Sequence, residues 1–118
     1  MQVCFLSNGY GEDRSAALIA RALADACPAV EVFGAPMVTS GQEYVRRGIP
    51  VVFEGRVPPS GGFPTAGVRW FARDLTCAGS WLKYYRTLKR LRPAVDVAVV
   101  VGDFTLMMVG YRALRAEP

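Results

Sequence analysis

The chain has 118 residues, a formal net charge of +4 and 52% hydrophobic against 20% charged residues. That is one domain at most, with enough apolar side chain for a core, which excludes a disordered tail. It has three cysteines in no C-x-x-C spacing and no histidine, which excludes both a zinc site and an imidazole base supplied by this chain.

The apolar run from Gln2 to Leu6 is the first predicted strand. It stops at Ser7-Asn8-Gly9-Tyr10-Gly11-Glu12-Asp13, a two-glycine turn of the kind that opens an α/β sheet, where ligands bind at the carboxyl ends of the strands. Glu12 and Asp13 stand where a phosphate loop needs uncharged amides. The turn therefore suits hydroxyl-rich ligands or proton transfer. A dinucleotide fingerprint would need glycine at Arg14, so no nicotinamide cofactor is expected. The bland alternative for both acids is a favourable charge in the first turn of a helix.

A helix is expected from about Asp13 to Ala26, with Leu18, Ile19, Ala22, Leu23 and Ala26 as its apolar stripe and Pro28 enforcing its end. Val30, Val32 and Phe33 predict a second strand, closed by Gly34 and Pro36. Gln42 to Arg47 predicts a short helix stopped by Gly48, and Ile49 to Phe53 a third strand. Gly55 to Gly67, with Pro58-Pro59-Ser60-Gly61-Gly62-Phe63-Pro64, is a connection of about 13 residues; such loops are functional or mobile.

Helical spacing resumes from about Val68 to Leu91, through Phe71, Leu75, Ala78, Leu82, Tyr85 and Leu88. This helix also carries Arg69, Arg73, Lys83, Arg86, Lys89 and Arg90 beside Trp70, Phe71, Trp81 and Tyr84. It reads either as a solvated cationic face over a core stripe or as a surface for anionic lipid. Val95 to Val101 is almost wholly apolar, the mark of a buried parallel strand. Gly102-Asp103 closes it, and a last helix is expected from Phe104 to Leu114.

The order βαβαβαβα predicts an α/β fold: an open, mostly parallel sheet of about four strands in the order 3-2-1-4, with helices on both faces. The order reverses between strands one and four, so a crevice is expected to present Glu12, Asp13 and Asp103 together. Asp103 is either a base at that crevice or a cap on the helix it precedes. The apolar fourth strand would stand at an edge, so the chain reads as the front part of something longer. No stretch approaches the roughly 20 apolar residues that span a bilayer, and nothing marks a signal peptide. The cysteine usage fits a reducing, cytoplasmic location.

Leu6-Ser7-Asn8-Gly9-Tyr10-Gly11-Glu12-Asp13, Gly48-Ile49-Pro50-Val51, Pro59-Ser60-Gly61-Gly62-Phe63 and Val101-Gly102-Asp103, in this order, resemble the N-terminal part of the lipid-A-disaccharide-synthase-related proteins. The resemblance implies a Rossmann-like domain on the acceptor side of a two-domain GT-B glycosyltransferase. Such an enzyme transfers a sugar from a nucleotide-sugar donor, UDP-linked, to a lipid-linked or amphiphilic acceptor, with no further cofactor, at the inner membrane surface. It implies that Ser7, Asn8, Gly9, Tyr10, Gly11 and Asp13 line the acceptor cleft and that Ser60, Gly61, Gly62 and Phe63 form a loop over it. Asp103, and after it Glu12, would deprotonate the acceptor hydroxyl. Tyr10 stands where the family usually has histidine. The donor-binding domain is not among these 118 residues, so this piece alone is not expected to transfer sugar. The alternative from a different class is a non-catalytic binding or assembly module that keeps half of the fold.

Overall fold

The computed structural model describes residues 1–56 and 77–115. Three parallel strands, β1 (Gln2–Ser7), β2 (Glu31–Pro36) and β3 (Val97–Val101), form one sheet in the order β2-β1-β3. Cys4 in the central strand lies opposite Phe33 on one side and Ala98 on the other. The helices are α1 (Tyr10–Ala26), α2 (Gln42–Val45), α3 (Ala78–Leu91) and α4 (Phe104–Leu114), with a 3-10 turn at Arg92–Ala94 before β3.

Alternation along β1 divides the core in two. Val3 and Phe5 point to one face, where they meet Ala16, Ala17 and Ala20 of α1, Tyr44 of α2 and Ile49. Cys4 and Leu6 point to the other face, against Tyr84 and Leu88 of α3 and Leu106 and Ala113 of α4. A strand buried on both faces, with helices covering each, is the arrangement expected of a parallel sheet.

The four-strand expectation is corrected to three strands and one bridge. Val51 pairs with Gly34 alone, through Gly34 N–H to the Pro50 carbonyl at 2.8 Å and Val52 N–H to the Gly34 carbonyl at 2.9 Å. Two prolines fence this contact. Extending a parallel ladder one way would need an N–H on Pro50, and the other way one on Pro36; proline has none. The segment still lies outside β2, on the side away from β1.

Two helical stripes fall on different residues from those expected. In α1 the buried side chains are Asp13, Ala16, Ala17 and Ala20, while Leu18 and Ile19 are about half exposed, at 52% and 51%. Small residues let the helix lie close to the sheet. In α3 the buried face is Tyr84 and Leu88, with Trp81 and Tyr85 packed beside them, and Leu82 is exposed. Tyr84 anchors this face by donating to the Ala35 carbonyl at 2.8 Å and meeting the Phe53 ring edge-on at 5.0 Å. The N-terminal part of the expected helix, residues 68–76, lies outside the described residues. α4 spans the residues expected of it, and β3 begins two residues later than expected. Among the described residues β3 pairs only with β1 and is an edge strand, with Val97 and Ala98 exposed.

Candidate functional site

The carboxyl edge of the sheet is built from three loops, following β1, β2 and β3. The loop after β1 turns into α1 at Gly9, which caps the helix without a side-chain bond. Glu12 folds back over that turn, so closely that a Cβ on Gly9 would collide with its carboxylate. An acid there faces the free amides of the first helical turn. Tyr10 and Gly11 are exposed.

Asn8 reaches across to the loop after β3. Its carboxamide oxygen occupies the place a Cβ on Gly102 would need, so a side chain at 102 would displace the Asn8 carboxamide. Asp103, next along, is exposed, and its Oδ1 accepts the Leu106 N–H at 3.0 Å. It is therefore the N-cap of α4, with its second oxygen unengaged among the described residues.

Asp13 takes a different course. Although it sits in the first turn of α1, it is only 1% exposed. Thr39, just beyond β2, donates its hydroxyl to Asp13 Oδ2 and accepts the Gly41 N–H at 3.1 Å. The Ser7 hydroxyl, at the end of β1, is bonded to the Tyr44 hydroxyl at 2.6 Å, while Asp13 Oδ1 has no hydrogen-bond partner among the described residues. Burial pushes the Asp13 carboxyl above the usual carboxylate range; the neighbouring Ser7 and Thr39 hydroxyls oppose this, and the charges of Glu12 and Glu43 add to it. Burial also raises Tyr44.

These groups border a cleft of about 250 Å³ between the start of α1 and the Thr39–Arg46 segment, lined by Tyr10, Asp13, Thr39, Ser40, Gln42 and Glu43, with Arg46. A more open depression of about 500 Å³ adjoins it, lined by Arg14, Glu43, Arg46 and Arg47. Glu43 is bonded to Arg47 at 2.6 Å and to Arg46 at 3.3 Å, and these guanidiniums hold its carboxyl below the usual range.

The expected crevice is thus divided. Asn8, Gly102 and Asp103 stand together on the β3 side of the β1 loop. Asp13 turns to the β2 side, where the charges acting on it are Glu12 and Glu43 and not Asp103. Ser60, Gly61, Gly62 and Phe63 lie outside the described residues. The sequence reading missed Thr39, Gln42, Tyr44 and Arg46. Ser40-Gly41-Gln42-Glu43 has the S-x-x-E spacing of a helix start, a signal for α2 but none for a cleft.

No family model, no curated protein and no solved structure matches this chain.

Proposed function

We propose that the chain is the acceptor-binding domain of a glycosyltransferase that moves a sugar from a nucleotide-sugar donor to a lipid-linked or amphiphilic acceptor. The observation that supports this most is the contact of Asn8 with Gly102, which draws the loops after β1 and β3 together where the strand order reverses and sets Asp103 beside them. This is the usual ligand position in an open α/β sheet. In the reaction the Asp103 carboxylate takes the acceptor hydroxyl proton. The hydroxyl oxygen bonds to the anomeric carbon, and the nucleoside diphosphate leaves with the electrons of the broken bond. Glu12 ranks second, because its carboxylate is turned back over Gly9.

The test uses the complete natural protein, radiolabelled UDP-N-acetylglucosamine or UDP-glucose, and lipid extracted from the source membrane. Asp103→Ser keeps a capping hydroxyl and removes the base. It is expected to lower turnover by about 10²-fold or more with little change in melting temperature, and undiminished turnover would remove Asp103 from the mechanism. Four exposed cations on α3, Lys83, Arg86, Lys89 and Arg90, support contact with an anionic bilayer. Trp81 and Tyr84 pack inward and take no part in it. Among the described residues no helix is long and apolar enough to cross a membrane.

A second reading, a non-catalytic assembly module, is favoured by the position of β3 at the sheet edge among the described residues and by Phe104, Met107 and Tyr111, which form an exposed apolar stripe on α4. Light scattering discriminates: a monomer at high concentration counts against assembly through this surface.

A further inference from the structure

The two arginines that follow the start of α1 differ in what answers their charge. Arg21 is bonded to Asp25, one turn on, at 2.5 Å. Arg14 has no acid so placed: the residues one turn away on either side are Tyr10, Gly11, Ala17 and Leu18. It makes no hydrogen bond or ion pair among the described residues. Arg14 is exposed and borders the open depression of about 500 Å³ together with Glu43, Arg46 and Arg47.

A lone guanidinium at a surface is satisfied by water. Here three of them meet around a single carboxylate. Both oxygens of Glu43 are already engaged, Oε2 by Arg47 at 2.6 Å and Oε1 by Arg46 at 3.3 Å. Arg47 also donates to the Glu43 carbonyl at 2.9 Å, which ties its guanidinium to α2. The bond from Arg47 holds the Glu43 carboxyl below the usual carboxylate range, and the charges of Arg46 and Arg14 add to this, so all three cations act on one place. Three guanidiniums against one carboxylate leave two positive charges in excess. A phosphomonoester carries a charge of about −1.5 to −2 at neutral pH and three acceptor oxygens. It matches both the excess and the forked donors of the guanidiniums. A phosphodiester or a carboxylate carries one negative charge and answers half of the excess.

We propose that the depression between α1 and α2 is a phosphomonoester site, in which Arg14 and Arg46 donate to the phosphate oxygens while Glu43 holds Arg46 and Arg47 in place. The site forms no covalent bond and does not rest on the transferase reading. Its phosphate belongs either to a soluble metabolite or to a lipid headgroup with a terminal phosphate, and the chemistry recognised is the same.

The experiment is a heteronuclear NMR titration of the 118-residue chain with glycerol 3-phosphate, with dimethyl phosphate and acetate as monoanionic controls at matched ionic strength. Glycerol 3-phosphate is expected to bind saturably, about tenfold tighter than either control or better, and to shift the amides of Arg14, Arg46 and Arg47 most. Arg14→Ala and Arg46→Ala, both at exposed positions, are each expected to weaken it about tenfold. Arg112→Ala removes the same charge from an exposed position on α4 and is expected to leave binding unchanged. The proposal is overturned if glycerol 3-phosphate does not saturate, or if dimethyl phosphate binds as tightly. It is also overturned if Arg112→Ala weakens binding as much as Arg14→Ala, the mark of diffuse attraction to a basic protein. Flotation with phosphatidylcholine vesicles containing phosphatidic acid identifies the source of the phosphate. Flotation that Arg14→Ala abolishes assigns the site to a lipid headgroup; flotation that is absent, or survives the substitution, assigns it to a soluble phosphomonoester. A chain that binds glycerol 3-phosphate in this way and transfers no sugar upholds the site and removes only the transferase reading.

Discussion

At the scale of single residues, Asp13 makes the stability of the fold depend on pH. Its folded-state pKa is raised, chiefly by burial, so the protonated form is the better tolerated one inside. The stability it allows is fully present below the unfolded-state value of about 4 and is lost as pH rises through the higher folded-state value. Asp13→Asn is therefore expected to flatten the decline in melting temperature above about pH 4, as followed by circular dichroism at a series of pH values. Gly34 is constrained for a different reason. A Cβ there would lie 2.6–2.8 Å from the Tyr44 ring, which stacks directly on the strand backbone. Gly34→Ala is expected to cost about 1–3 kcal/mol in urea denaturation, and pairing it with Tyr44→Ala is expected to give less than the sum of the two single losses.

At the scale of elements, the packing of α1 distinguishes two kinds of apolar residue that look alike in sequence. Ala17→Leu inserts volume against β1 and is expected to destabilise by about 1–3 kcal/mol, whereas Leu18→Ala, on the exposed side, is expected to change stability by about 0.5 kcal/mol or less. Thermal melts of the two variants would check the pair. This also marks how far the sequence could be read. The strand–turn–helix beginning at Gln2, the end of α1 near Pro28, β3 and α4 were all legible, because a short apolar run closed by glycines, a proline and a dense valine run each act locally. The phase of α1 was not: a helix held close against a sheet buries its smallest side chains, and hydrophobicity alone ranks Leu18 and Ile19 above Ala16 and Ala20. The same held for α3, where Tyr84 is buried because its hydroxyl finds the Ala35 carbonyl, a partner 49 residues distant. Tyr84→Phe removes this bond and is expected to cost about 1 kcal/mol. At the site, the approach of the loops after β1 and β3 followed from strand order, but the turn of Asp13 away from Asp103 did not, because its bond from Thr39 joins residues 26 apart by no motif. Pro36 and Pro50 were visible from the outset, yet their joint effect on one ladder emerges only once the register places them on either side of Gly34.

At the scale of the whole molecule, a single central strand holds two separate cores together, so β1 cannot be disturbed on one face without loosening the other. The three cysteines happen to sample this arrangement at three depths. Cys27 is exposed just past the end of α1, while Cys77, at the start of α3, and Cys4, in β1, are buried. Burial pushes the Cys4 thiol up to about 12, leaving almost none of it as the reactive thiolate at neutral pH. The molecule thus carries its own set of chemical clocks. A maleimide pulse should tag Cys27 at once. Tags reaching Cys77 before Cys4 would mean that α3 peels away while the sheet stays whole, and simultaneous tagging of both would mean that the two cores come apart as one.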